Sequence, residues 1–230
     1  MFLARRATQA EYFDSPRRSR DEIRKLYECL GRVNRLFGFD RAFQIGLPRL
    51  VGEARCKSLS ILDLGAGDGS LGRALSDSAA RRGWSWRFTN LDMNIRGLEL
   101  AGGSRNVAGT ALALPFRDNS FDAVVASQMT HHLSDSETVR HIREAWRVAR
   151  LGVLLNDLHR NAALYAALWL LLRGDRFPAE FRLDGLLSVK RGWRVPELEA
   201  LALKAGLPRA RVSLYFGARV LLETRKSAPD

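Results

Sequence analysis

The stretch ILDLGAGDGSLG, residues 61–72, decides the fold, because an apolar run passes directly into a loop that contains four glycines. The preceding residues extend the apolar run to 58–64, which is typical of a buried strand. Residues 69–81 have the spacing of a helix, with Leu71 and Leu75 on its inner face. A glycine loop between a buried strand and a helix is typical of the ligand-binding edge of an open α/β sheet.

The glycines of this loop can be aligned in two registers. Starting at Gly67, they form the G-x-G-x-x-G pattern of a dinucleotide site together with Gly69 and Gly72. Starting at Gly65, they form G-x-G-x-G, and the first glycine then follows the last apolar strand residue, Leu64, directly. The second register fits the strand end better, because the first leaves two loop residues unexplained.

Charge also distinguishes the two registers. Asp63 and Asp68 flank the loop, and a pyrophosphate on a helix N-terminus is disfavoured beside carboxylates. They favour a nucleoside that carries a cation and no phosphate, as S-adenosylmethionine (SAM) does. Alternatively, the two aspartates only cap the following helix. Asp92, which ends the next predicted strand, is placed to accept hydrogen bonds from ribose hydroxyls.

The rest of the chain alternates apolar strands with helices. Further strands are predicted at 86–92, 105–111, 121–127, 151–158 and in a hairpin over 211–225, and further helices at 19–37, 42–54, 95–102, 134–149, 159–173 and 195–207. Apolar strands that alternate with helices indicate a parallel sheet covered on both faces. We therefore predict an α/β fold: a Rossmann-like doubly wound sheet of about seven strands, mostly parallel with an antiparallel C-terminal hairpin, plus N-terminal helices.

The composition is that of a globular protein of 230 residues with a net charge of +12. We predict an N-terminal helical lid over residues 1–55 and a single domain over 56–230 with a helical insertion at about 159–192. The two cysteines, Cys29 and Cys56, lack metal-site spacing, so no metal is predicted. No secretory signal is evident, and the longest apolar run, 162–172, is about half the ~20 residues of a membrane span. These features favour a cytoplasmic protein.

Three motifs resemble those of the class I SAM-dependent methyltransferases: ILDLGAGDGS (61–70), NLDMN (90–94) and GTALALPFRDNSFDAVVAS (109–127). The likeness covers about residues 58–224 and is nearest to the group that includes quinone-ring methyltransferases. It implies SAM as the methyl donor and S-adenosylhomocysteine as its product. One departure is ARLGV at 149–153, where the family usually has a Pro-Gly-Gly turn.

The resemblance also implies which residues hold the cofactor, and they all lie at or after strand ends: Asp63, Gly65, Ala66, Gly67, Asp68, Asp92, Met93, Thr110, Ala111, Ser127 and Gln128. Asp63 would lie near the methionine amino group, Asp92 would bind the ribose, and Met93 would pack on the adenine. Ala111 would offer its backbone N–H to the adenine edge, and Ser127 and Gln128 would line the methyl-transfer cavity. Thr110 stands where the family often has an aspartate facing the adenine amino group, and a hydroxyl still accepts one hydrogen bond.

Three histidines follow strand ends and are candidate bases for methylation of a hydroxyl: His131 and His132 after the fourth strand, with His132 slightly favoured, and His159 after the fifth. Alternatively, they bond to loop backbone or helix ends. Methylation at carbon on an electron-rich ring would need a base less.

The acceptor is predicted to be a small, apolar, aromatic or polyketide-type molecule, methylated at oxygen or carbon. The segment 159–181 would form its wall through Leu164, Leu168, Trp169 and Leu172, and its basic flanks suit peripheral contact with the anionic inner face of a membrane. Nucleic acid is disfavoured as a partner, because only the basic charge of the chain supports it. The alternatives are an RNA methyltransferase and a SAM-binding protein without catalysis; no obligate protein partner is evident.

Overall fold

The computed structural model describes residues 3–15, 18–103, 105–174 and 176–226. Its strands are β1 Ser58–Leu64, β2 Ser85–Asp92, β3 Asn106–Ala108, β4 Phe121–Ser127, β5 Ala149–Leu158, β6 Arg211–Tyr215 and β7 Arg219–Arg225. They form one seven-stranded sheet in the order β3-β2-β1-β4-β5-β7-β6. Strands β1 to β5 run parallel to one another in this sheet, and β7 runs antiparallel to both β5 and β6. The predicted fold class is confirmed.

The helices are α1 Arg20–Phe37, α2 Arg41–Val51, α3 Ser70–Ala80, α4 Ile95–Ala101, α5 Asp135–Val148, α6 Ala162–Leu171, α7 Ala179–Arg191 and α8 Val195–Lys204. α1 begins with a reciprocal cap, in which the Glu22 N–H donates to Ser19 Oγ and the Ser19 N–H donates to the Glu22 carboxylate. α2 ends three residues earlier than the predicted range, because Gly52 takes a left-handed φ of 85°. α7 was not predicted as a separate helix within the insertion.

Helices cover both faces of the sheet. On one face, Ile142 and Ala145 of α5 pack with Leu198 of α8 against the strands. On the other face, Phe43 of α2 and Leu75 of α3 pack against the sheet. Both clusters are buried, so the strands are apolar on both sides, as expected for a parallel sheet.

A third apolar cluster lies beyond the carboxyl end of β5. It joins Val33 of α1, Leu164 and Leu168 of α6, and Phe181 of α7 to Leu158 at the strand end. α1, α6 and α7 thus form a roof above the edge at which α/β sheets bind ligands. No helix of the described ranges combines the length and the apolar character needed to cross a membrane.

Candidate active site

The glycine loop between β1 and α3 has a backbone conformation that favours glycine at three positions. Gly65, Gly67 and Gly69 take φ values of 68°, 56° and 70°, in the left-handed region that glycine adopts without steric cost. A Cβ at Gly65 would lie 2.4 Å from Met129 Cγ, and one at Gly67 would lie 2.6 Å from the Tyr27 ring. The glycines that the local geometry requires therefore begin at Gly65, the register favoured by the strand end.

Gly72 has a different role. It lies inside α3, where an added Cβ would come within 3.1 Å of the Phe88 ring on β2. This glycine allows close packing of the helix on the sheet, which is also the role of the third glycine in the dinucleotide pattern, so Gly72 does not distinguish the two registers.

The floor of the loop is acidic. Asp63 is 1% exposed, and its Oδ2 has no hydrogen-bond partner within the described part of the chain. Burial, with Asp92 and Asp68 nearby, raises the pKa of Asp63 to about 8. The Asp92 carboxylate accepts hydrogen bonds from the N–H of Gly67 and the N–H of Asn94, both at 2.7 Å. The cost of burying Asp63 without a partner is relieved by a ligand that brings a cation or a donor.

Asp68 is satisfied within the chain. Its Oδ1 accepts from the Ser70 N–H at 3.0 Å, and its Oδ2 lies 3.4 Å from an Arg73 nitrogen. Helix capping, the alternative raised for both aspartates, therefore describes Asp68 and not Asp63.

A single cavity of about 1270 Å³ extends from this loop to the roof helices. It is lined by every residue predicted to hold the cofactor: Asp63, Gly65, Ala66, Gly67, Asp68, Asp92, Met93, Thr110, Ala111, Ser127 and Gln128. Gln128 has a φ of 53°, an uncommon conformation for a residue with a side chain, and it donates from Nε2 to Asn34 Oδ1 of α1 at 2.9 Å. The volume exceeds the ~300–1,000 Å³ of a typical ligand pocket, so it accommodates a nucleoside and a second molecule.

Beside the cavity, Asp157 at the end of β5 holds His131. The Asp157 Oδ1 lies 2.6 Å from His131 Nδ1, and its Oδ2 accepts from the His131 N–H at 2.9 Å and from the Thr130 hydroxyl. Burial alone would raise the pKa of Asp157, but His131 and these hydrogen bonds together hold it well below its usual range. His131 is 3% exposed, and its Nε2 has no hydrogen-bond partner among the described residues.

The N-terminal segment contributes carboxylates to the same region. Glu11 Oε1 lies 3.7 Å from His131 Nε2, and Asp14 Oδ1 lies 2.9 Å from His132 Nδ1. The rings of the two histidines are 4.2 Å apart between centroids. Burial raises the pKa of Glu11 to about 7, against the opposing effect of His132.

Arg191 of α7 balances these carboxylates. Its guanidinium lies 3.0 Å from Asp14 and 3.5 Å from Glu11, and it donates to the carbonyl of His132 at 3.0 Å. The donor atoms of Glu11, His131 and His132 lie within 4.8 Å of one another, a spacing that metal ligands also show. Because Arg191 already supplies a positive charge to Glu11, the arrangement is accounted for as an ion-pair network.

Comparison with known proteins identifies the family of this chain. A family model described as a methyltransferase domain matches residues 62–155. A relative from Thermotoga maritima, a demethylmenaquinone methyltransferase, is 30% identical over 183 residues, which are 73% of this chain and 76% of that protein. The chain belongs to the class I SAM-dependent methyltransferases.

Two further comparisons agree with this assignment. A demethylmenaquinone methyltransferase from Roseiflexus castenholzii is 34% identical over 150 residues, and the match spans 63% of this chain and 58% of that relative. The solved structure of a SAM-dependent methyltransferase from Aquifex aeolicus superposes with a TM-score of 0.59 at 17% identity, over 91% of this chain and 99% of that one. At that identity the structural match shows the fold alone.

SAM, the methyl donor of this family, fits the residues of the loop. The Oδ2 of Asp63 is a buried carboxyl oxygen without a hydrogen-bond partner among the described residues, and the ammonium of the methionine part would favour its ionised form. Both Asp92 oxygens keep an unused lone pair for ribose hydroxyls, and Met93, 74% exposed, is free to pack on a base at the mouth of the cavity. When bound, SAM supplies an activated methyl group on sulfur.

The structure places the three candidate histidines in different positions relative to the cavity. His131 and His132 line the cavity, whereas His159 is absent from its described lining. His159 Nδ1 lies 2.9 Å from the carbonyl of Gly217 and 2.9 Å from Asn161 Nδ2, so this ring connects β5 to the hairpin turn. The geometry therefore matches the alternative of a backbone contact for His159.

Four residues of the candidate site were missed in the sequence: Glu11, Tyr27 and Arg219, which line the cavity, and Asp157, which holds His131 beside it. Asp157 had a detectable signal, because it is an acidic residue at the carboxyl end of an otherwise apolar strand. Arg219 follows a tight turn and begins a strand, which is an ordinary position for a surface arginine. Glu11 and Tyr27 reach the site only through tertiary folding.

Proposed function

We propose that this protein transfers a methyl group from SAM to a small aromatic acceptor of the quinol type, at oxygen or at a ring carbon. The observation that carries the proposal is the continuity of one cavity from the acidic cofactor loop, past an imidazole held by Asp157, to an apolar roof. The names of the relatives, demethylmenaquinone methyltransferases, support a quinone-type ring as the acceptor.

The roof supports an apolar acceptor. Leu164, Leu168 and Leu172 line the cavity from the α6 region, Phe181 lines it from α7, and Val33 lines it from α1. Such a wall favours aromatic rings and aliphatic chains over a nucleotide backbone. α1 lies within residues 1–55, and we propose that this segment acts as a lid over the acceptor.

His131 is the base that we propose. The Asp157 carboxylate fixes its Nδ1 as the protonated nitrogen, so the lone pair is on Nε2, which lies 3.7 Å from Glu11 and has no hydrogen-bond partner among the described residues. The acceptor O–H bond breaks, its proton goes to Nε2, and the electron pair stays on oxygen. That oxygen, or a ring carbon made electron-rich by it, then bonds to the methyl carbon while the S–C bond breaks and its electron pair returns to sulfur. A ring carbon afterwards releases its own proton.

His132 is the weaker candidate, although the sequence slightly favoured it. Its Nδ1 lies against Asp14, and its side chain is 30% exposed, so it is held less firmly than His131. The protein otherwise contributes alignment and exclusion of water, which suffices for displacement at an activated methyl group.

The test is methyl transfer from labelled SAM to a defined set of acceptors. A reduced naphthoquinone with a short prenyl chain is expected to become labelled, whereas its dimethoxy analogue, which lacks an ionisable hydroxyl, is not. His131→Gln should abolish the labelling and keep the rise in melting temperature caused by SAM. Labelling of total RNA in preference to the quinol would contradict the proposal. Stabilisation by SAM without labelling of any acceptor would indicate a binding protein.

We also propose peripheral contact with an anionic membrane surface, through α6. Trp169 and Leu170 are 47% and 66% exposed, and the Arg173 guanidinium lies 4.6 Å from the centre of the Trp169 ring. An exposed aromatic and leucine beside a cation suits the boundary between headgroups and acyl chains. Sedimentation with vesicles of phosphatidylglycerol is expected to recover the protein, and Trp169→Ser with Leu170→Ser should reduce recovery. Equal recovery of both proteins would contradict this contact.

A further inference from the structure

Arg219 is a buried cation that has no hydrogen-bond partner at Nη1 within the described part of the chain. It begins β7 opposite Leu158 at the carboxyl end of β5, is 7% exposed, and lines the cavity. Its Nη1 finds no hydrogen-bond acceptor anywhere in residues 3–15, 18–103, 105–174 or 176–226. A charge that is buried without a partner is costly, and such groups mark sites that bind a charge of the opposite sign.

Other buried arginines of this chain are fully paired. Arg160, 1% exposed, donates to the carbonyl of Gly192 at 2.6 Å and to Glu197 at 3.0 Å. Arg191, 6% exposed, pairs with Asp14 at 3.0 Å and donates to backbone carbonyls. The fold therefore provides acceptors for the guanidinium groups of Arg160 and Arg191. Arg219, which faces the cavity, differs from them in that its Nη1 lacks an acceptor among the described residues.

No carboxylate of the described residues forms an ion pair or a hydrogen bond with Arg219. Burial lowers the pKa of Arg219 to about 10, and Asp157 is the carboxylate that opposes this effect. Asp157 itself is already engaged by His131 and Thr130. Because a pKa near 10 leaves the guanidinium protonated at neutral pH, the cavity keeps a positive charge close to the Asp157–His131 pair.

Ser127 adds a second polar group at the same edge. Its Oγ is buried without a partner among the described residues, and it lines the cavity at the end of β4. Ser127 lies opposite Asn156 on β5, and Leu158, two residues further along β5, lies opposite Arg219. The two unpartnered groups thus come from strand ends on either side of β5.

We propose that Arg219 binds an anionic oxygen of the methyl acceptor, so that the acceptor is an aromatic molecule that carries an oxyanion when it reacts. This inference rests on the proposed function, in which His131 takes the proton of an acceptor hydroxyl. Arg219 then pairs with the oxygen that keeps the electrons, and Ser127 can donate a second hydrogen bond to it. The oxyanion is either the ionised hydroxyl itself or a carboxylate beside it on the ring.

The test measures binding of three probes to the protein saturated with S-adenosylhomocysteine: 1-naphthol, 1-naphthoate and naphthalene. In the wild type, the apparent pKa of bound 1-naphthol, followed by the absorbance of its ionised form, is expected to fall by at least one unit, which equals tenfold preference for the anion. Arg219→Met should remove this shift and leave naphthalene affinity unchanged. Arg211→Met, which removes an exposed cation from the same hairpin, should keep it.

The 1-naphthoate measurement distinguishes the two sources of the oxyanion. If Arg219→Met weakens 1-naphthoate at least tenfold and leaves 1-naphthol unchanged, the anion is a carboxylate; the reverse result identifies the ionised hydroxyl. If neither probe depends on Arg219, the inference is wrong.

Stability measurements keep a folding defect from being mistaken for a binding defect. Because methionine removes an unpaired buried charge, Arg219→Met is expected to melt at or above the wild-type temperature and to retain its stabilisation by S-adenosylhomocysteine. A marked fall in melting temperature for both Arg219→Met and Arg219→Lys would assign Arg219 a structural role and overturn the inference. If the wild type itself is not stabilised by SAM or its product, the proposed function fails, independently of Arg219.

Discussion

Replacing Asp63 by asparagine removes the buried carboxyl group from the floor of the cofactor loop. Asp63 is 1% exposed, and burial, with Asp92 and Asp68, raises its pKa to about 8, compared with about 3.9 for an unfolded chain. Between these values the folded protein holds a proton that the unfolded chain has lost. The wild type therefore loses stability as pH rises from about 4 to about 8.

The size of the effect follows from the pKa difference. Each unit corresponds to about 1.4 kcal/mol, so Asp63 is expected to cost on the order of 4 kcal/mol at pH 7 relative to pH 4. Asparagine does not ionise and avoids this cost, but its buried amide N–H lacks an acceptor, which costs about 1–3 kcal/mol at any pH. Without cofactor, Asp63→Asn should be more stable than the wild type by about 1–3 kcal/mol at pH 7, and less stable at pH 4.

The assay is urea unfolding of both proteins without cofactor at several pH values between 4 and 8. Asp77→Asn, on the exposed side of α3, is the matched control and should follow the wild type. At pH 7.5, SAM should raise the melting temperature of the wild type and of the control. It should raise the melting temperature of Asp63→Asn much less, because an amide provides no charge for the ammonium. A stability difference that stays constant across the pH range would refute the reasoning, since it would mean that Asp63 ionises normally in the folded state.

Three further substitutions test other parts of the site. Asp157→Asn should lower the rate of methyl transfer by about 10²-fold or more, while leaving the SAM-induced rise in melting temperature, because the imidazole loses its oriented proton; an unchanged rate would exclude His131 as the base. Gly67→Ala should abolish stabilisation by SAM, since its Cβ would meet Tyr27 at 2.6 Å, whereas Gly83→Ala, also at positive φ but without neighbours within 4 Å, should keep it. Thr110→Asp should tighten SAM binding measured by calorimetry, because a carboxylate accepts more strongly from the adenine amino group, and unchanged affinity would show that residue 110 does not face the base.

Much of the fold was predictable because its signals are local. The passage from an apolar strand to a glycine loop identified β1 and α3, and the helix predicted at 19–37 matches α1, Arg20–Phe37. The helix α7 escaped prediction because its apolar residues do not follow one clear stripe. Phe181 is buried, whereas Leu183, two positions later, is 69% exposed, and Pro178 and Gly174 interrupt the pattern before it.

The cofactor half of the candidate site, around the glycine loop, was easier to predict than the acceptor half, around His131, for a physical reason. The cofactor half is built from consecutive loop residues, so spacing alone brings Asp63 and Gly67 together. The acceptor half depends on contacts across the chain: His131 meets Asp157 over 26 positions, and Arg191 meets Asp14 over 177. No local pattern encodes such pairs, and they follow only from the packing of α7 and the N-terminal segment over the sheet edge.

The unpaired polar atoms of this cavity carry opposite charges at its two ends. We propose that Asp63 pairs with the methionine ammonium and that Arg219 pairs with an acceptor oxyanion, while His131 Nε2 also lacks a hydrogen-bond partner among the described residues. Each such group costs stability in the free protein, typically ~1–3 kcal/mol or more for a charge. Transfer of a methyl from a cationic sulfur to an anionic oxygen cancels both charges, so binding them tightly does not by itself favour the transition state. The benefit of Arg219 therefore lies in forming the anion at neutral pH, beside the Asp157–His131 pair, and not in the transfer step that follows.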